Sequence, residues 1–103
     1  MKTAQIMKMI TENVSFTTGR FQEFSEETSK KNEKYGKVKI NIGSGMADFL
    51  IFAPKVAPGA AAAPLKPEWA KEYGTPVVIV GYHAVPEGRF IRHNFKSIDR
   101  IEP

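Results

Sequence analysis

The sequence predicts a mainly β protein with minor helix, folded as a small, strongly bent barrel of five or six antiparallel strands. Three observations predict it. Hairpin-like pairs of alternating apolar and polar residues recur along the chain, confident helical periodicity is confined to the N-terminus, and 103 residues provide length for one core. A hydrophobic fraction of 42% against 25% charged residues is enough apolar surface to offset the ordering entropy of one such core. The chain is therefore read as a single domain, 1–103.

Thr3, Ile6, Met7, Ile10 and Val14 fall at helical spacings, so a short amphipathic helix is expected over residues 3–13, with Thr3 as its N-cap. Val14–Phe24 alternates and is interrupted by Thr18-Gly19, which predicts a tight hairpin with Phe16 opposite Phe21. Ser25–Tyr35 is polar almost throughout and is expected to be a mobile loop ending at Gly36. Lys37–Ala53 carries the clearest hairpin signal. A Ser44-Gly45 turn would pair Ile42 with Ala47, Ile40 with Phe49 and Val38 with Ile51 on an apolar face. Its other face would pair Asn41 with Asp48, Lys39 with Leu50 and Lys37 with Phe52, leaving Leu50 and Phe52 in need of a cover, for which the N-terminal helix is the candidate.

Residues 54–67 hold four prolines and five alanines, a composition that continues neither sheet nor long helix, so a Pro/Ala-rich internal loop is expected there. A short helical turn is expected near 67–73, between Pro67 and Gly74, with Trp69 and Tyr73 on one face. Val77–Val85 and Phe90–Lys96 form the last expected hairpin. A turn centred on Glu87-Gly88 pairs Tyr82 with His93 on the core side and His83 with Arg92 on the solvent side.

The absence of cysteine excludes disulfides, thiolate metal sites and a cysteine nucleophile, and suggests a cytoplasmic protein. Gln5, Lys8 and Thr11 interrupt the N-terminal apolar residues, so no signal-peptide core is expected, and no apolar run is long enough to span a membrane. His83 and His93 are expected on opposite faces of one hairpin and so cannot share an ion; no metal or other cofactor is expected. Ser44, His83 and Asp99 lack the sequence context of a nucleophile with its base and orienting acid, so no catalytic residues are assigned and no enzyme activity is expected. Gly43-Ser44-Gly45 joins two strands and lacks the lysine of a phosphate-gripping loop.

The net charge is +4, and the part of it that forms a plausible footprint is C-terminal: Arg89, Arg92, Lys96 and Arg100 are opposed only by Asp99. The ending Phe95-Lys96-Ser97-Ile98-Asp99-Arg100-Ile101 resembles the end of WYL-type domains and of small phage-encoded SH3-like β-barrel proteins. The resemblance covers the final quarter of the chain, with a looser echo in Val14–Phe24. The Trp-Tyr-Leu signature itself is absent, and one extra residue stands between Phe95 and Asp99. It implies an SH3-like or Sm-like barrel that senses ligands, often nucleic acid or nucleotides, through basic residues; by position Arg92 and Arg100 carry that role over.

Two functions are therefore expected. The first is a non-catalytic barrel binding nucleic acid or a nucleotide-bearing complex through His83, Arg89, Arg92, Asn94, Lys96 and Arg100. The alternative is a protein-protein interaction module, or a phage-type inhibitor of a host protein, using the 54–67 loop with Leu50, Phe52, Val56 and Leu65. Either is compatible with a monomer or a homodimer.

Overall fold

A computed structural model describes residues 1–54, 57–61 and 64–103. It is mainly β: seven strands in two antiparallel sheets, with one short helix. The helix α1 spans Thr3–Thr11 and is followed by β1 (Phe16–Thr28), β2 (Lys34–Asn41), β3 (Met46–Phe52), β4 (Pro76–Val80), β5 (His83–Glu87), β6 (Phe90–Asn94) and β7 (Ser97–Arg100). The larger sheet has the order β3-β2-β1-β4-β7, and β5-β6 form a separate two-stranded arm. Among the described residues the strands do not close into a barrel. None of the described helices is long and apolar enough to cross a membrane.

The expected hairpin at Thr18-Gly19 is replaced by a continuous strand. β1 pairs with β4 through Phe16–Arg20 and with β2 from Arg20 onward, so Phe16 lies opposite Val80 and Phe21 opposite Ile40. Gly19 serves close packing rather than a turn. A Cβ built there would sit 2.6 Å from Ile40 Cγ2 and 2.7 Å from the Asn41 carbonyl oxygen. The expected mobile loop over Ser25–Tyr35 is likewise a hairpin, with Ser29–Glu33 as its turn: the Ser29 N–H donates to the Glu33 carbonyl at 2.8 Å. Its polar sequence encodes cross-strand charge pairs, Glu26 with Lys34 and Glu27 with Lys37, joined further along by Glu23 with Lys39.

The β2-β3 hairpin forms where expected but two residues out of register. Ile40 faces Ala47, Val38 faces Phe49 and Gly36 faces Ile51. Asn41 Oδ1 accepts the Gly43 N–H at 2.9 Å, which moves the turn to Gly43-Ser44. A two-residue shift keeps every side chain on its expected face, so the apolar side still enters the core. There Val38, Ile40, Ala47 and Phe49 join Phe21, Val77, Ile79 and Ala70. Full burial of a Val, Ile or Phe side chain contributes about 1.5–3 kcal/mol, and this cluster is the main source of stability.

The last hairpin is also shifted by two, because Gly88 takes the first turn position with φ 61°, as a tight hairpin turn of Gly-X type requires. His83 then faces Asn94, Ala84 faces His93 and Val85 faces Arg92. The ribbon breaks at Gly81-Tyr82 opposite Phe95-Lys96 and resumes in the same register as β4-β7, with Val80 facing Ser97. The break folds the arm over the core, where Tyr82, His93 and Phe95 all pack on the Phe49 ring at centroid distances of 5.8, 5.8 and 5.5 Å.

The helical turn expected near 67–73 is a series of non-helical turns that places its two aromatics apart. Trp69 packs edge-on against Phe21 at 5.9 Å, whereas Tyr73 points to solvent. Lys2, not Thr3, caps α1: its N–H donates to Gln5 Oε1 at 2.9 Å. The helix does not cover Leu50 and Phe52. It is tied at one end by the Lys2–Glu102 bridge and followed at the other by the Gly81 N–H bond to Ser15, which lays it along β4 and β7. Val78, on the sheet face opposite the core, is also completely buried.

Candidate functional site

The residues expected to form a basic face are only partly brought together. On the arm, His83, Arg92 and Asn94 share one side with Val85, Glu87 and Phe90, because opposed residues in an antiparallel pair project to the same face. Arg92 is paired on the surface with an acid of its own arm: its Nε donates to Glu87 Oε2 at 2.9 Å and its Nη2 to Glu87 Oε1 at 2.6 Å. A phosphate would have to compete with that bidentate carboxylate. Arg89 is exposed in the turn. The Lys96 stem lies at the ribbon break, where its Cγ would be 2.8 Å from a Cβ on Gly81.

Arg100 stands apart, in a cleft of about 360 Å³ that it shares with Glu68, Glu72, Asp99 and Glu102 as well as Lys71 and Trp69. Four carboxylates against two cations make this an unfavourable seat for a phosphate. The continuous footprint expected over residues 89–100 is thus divided into an arm tip, a break and an acid-lined cleft. Strand order divides it, since β7 belongs to the large sheet and β6 to the arm.

His83 and His93 lie on opposite faces of the arm, as their spacing required. His93 is half-buried: the Tyr82 hydroxyl and His93 Nδ1 are hydrogen-bonded at 2.9 Å with the two rings stacked, and the Phe49 ring lies beside them. This is a packing and hydrogen-bonding arrangement that docks the arm. No cluster of three His, Asp or Glu side chains suited to a metal ion occurs among the described residues.

The alternative surface is also only partly assembled. Leu50 and Phe52 project from the face of β3 opposite the core and are 41% and 67% exposed. Leu65 is not beside them. Its carbonyl oxygen lies 3.4 Å from where a Cβ on Gly36 would stand, on the core side of β2. Val56 lies outside the described residues. In their place the register supplies two residues the sequence reading did not assign: Met46, 56% exposed, and Tyr35, whose ring lies 5.8 Å from that of Phe52. The signal for both was the alternation of β2 and β3, which reads them onto the Leu50/Phe52 face once the turn is placed at Gly43-Ser44.

Around this patch the charges are paired off in rows, Lys37 with Glu27 and Lys39 with Glu23, and on β3 the face is apolar at Met46, Leu50 and Phe52 but carries the exposed Asp48 between Met46 and Leu50. Comparison with protein-family models, with curated proteins and with solved structures gives no match.

Proposed function

We propose that the chain is a non-catalytic binding module whose contact surface is the outer face of β2-β3, centred on Leu50 and Phe52 with Tyr35 and Met46, and that its partner is a protein. The exposure of Phe52 carries this reading. A phenylalanine on the open side of a paired strand, with leucine, methionine and tyrosine around it, forms an apolar patch of the kind protein partners cover. Covering the part of Leu50 and Phe52 that is still exposed would contribute about 1 kcal/mol each, before the costs of association are subtracted.

A second reading keeps nucleic acid as the ligand, and one observation favours it: Phe90 is 79% exposed beside Arg89, and it supplies a stacking surface next to an exposed cation. The dispersal of Arg92, Lys96 and Arg100 weighs against nucleic acid as the principal ligand.

Capture from lysate, with and without nuclease, separates the two. The Leu50→Asp/Phe52→Asp variant should lose the captured protein while Arg89→Ala/Phe90→Ala retains it, and nuclease should change neither result. Loss confined to the arm variant and abolished by nuclease would overturn the proposal in favour of the second reading.

A further inference from the structure

The edges of the large sheet are protected unequally. At β7 the N-terminal segment covers the edge: Met1 donates through its amine to the Arg100 carbonyl, and the Glu102 N–H donates to the Met1 carbonyl at 2.8 Å. The stretch of β1 beyond Phe21 that has no β4 partner carries Glu23, Glu26 and Glu27. The β3 edge has no such protection. Its seven residues contain no lysine, no proline and no bulge, and their only charge is Asp48.

Hydrogen-bond alternation fixes which groups that edge presents. The Ile42 N–H donates to the Gly45 carbonyl at 3.0 Å, so the bonded pairs that follow are Ile40–Ala47, Val38–Phe49 and Gly36–Ile51. The N–H and C=O groups of Met46, Asp48, Leu50 and Phe52 therefore point away from β2, and none has a hydrogen-bond partner among the described residues. β6 comes close to β3 along part of its length, with the His93 ring on Phe49 at the core face, and forms no ladder with it.

We propose that this edge pairs with β3 of a second copy, antiparallel about a two-fold axis at Phe49. In that register Met46 faces Phe52 of the other copy and Asp48 faces its Leu50. These are the outward-pointing residues, so every free N–H and C=O of the four finds a partner. Parallel in-register pairing would instead set Asp48 against Asp48, a like-charge contact that the antiparallel register avoids. The exposed Met46, Leu50 and Phe52 side chains of the two copies then lie on one outer face, with the two Asp48 carboxylates among them. The assembly closes as a dimer, since among the described residues no equivalent bare edge remains in the large sheet.

This inference rests on the reading of the Leu50/Phe52 face as the contact surface, and the experiment separates the two. Sedimentation of the full chain from low micromolar to near-millimolar concentration should show the mass double. Asp48→Pro, which removes one outward N–H and leaves Leu50 and Phe52 in place, should sediment as a monomer with an unchanged β spectrum. In the cysteine-free background, Met46→Cys/Phe52→Cys should form a covalent dimer under mild oxidation while either single variant does not. A chain monomeric at every concentration, or a dimer that survives Asp48→Pro and fails to cross-link, overturns self-pairing. A monomer that still captures protein through Leu50 and Phe52 overturns self-pairing alone. A dimer that captures nothing overturns the binding reading alone.

Discussion

Replacing Phe49 with alanine is expected to lower stability by about 3–5 kcal/mol, the usual cost of deleting a buried phenylalanine. Set against a total of about 5–15 kcal/mol for an ordinary domain, that is enough to leave the chain marginal. A thermal melt followed by circular dichroism should shift down by roughly 12–40 °C, taking about 4–8 °C per kcal/mol for a domain of this size. The effect should also be uneven. Phe49 is the ring on which Tyr82, His93 and Phe95 rest, so its loss undocks the arm before it loosens β1 and β2. Amide exchange should accelerate most in β5 and β6. A shift of only a few degrees, with arm protection unchanged, would mean that the arm is held by something other than this ring cluster.

The second large effect is expected at Gly19. A methyl group there would meet Ile40 Cγ2 at 2.6 Å and the Asn41 carbonyl oxygen at 2.7 Å, and the second is backbone that cannot swing aside. Overpacking in a core costs about 1–3 kcal/mol where side chains can yield. With β2 itself in the way, Gly19→Ala should cost about 3 kcal/mol or more, and Gly19→Val should prevent folding. Neighbouring Thr18 is exposed, and Thr18→Ala should stay within about 0.5 kcal/mol of the parent. Urea denaturation midpoints measure all three. If Gly19→Ala behaved like Thr18→Ala, the passage of β1 against β2 at that point would be wrong.

Gly19 also illustrates what could be read from the sequence and what could not. Glycine between alternating residues marks either a turn or a close approach, and only knowledge of the strand packed against it decides which. The polar run Ser25–Tyr35 was ambiguous for a related reason. Its glutamates and lysines are solvated charges in isolation and cross-strand partners once β1 and β2 align. By contrast, the faces of β2, β3, β5 and β6 were legible, because side chains alternate with period two and an error of two residues in register preserves them. The same error changed which residues met. Arg92 moved from opposite His83 to opposite Val85, where it reaches Glu87, and the expected basic face lost its central charge. Leu50 and Phe52 were found by alternation alone. Leu65 was misassigned because a loop carries no periodicity that would place it on either side of the sheet.

The claim most open to direct contradiction is that the outer β2-β3 face, and not the basic arm, is the principal contact surface. Fluorescence anisotropy of labelled single- and double-stranded DNA and RNA, titrated with the chain at low and near-physiological salt, tests it. The account predicts weak binding at low salt that vanishes at the higher salt, as a net charge of +4 dispersed over several surfaces would give. Micromolar or tighter binding that persists at near-physiological salt and is lost in Arg89→Ala/Phe90→Ala would contradict it and make the arm a nucleic-acid reader.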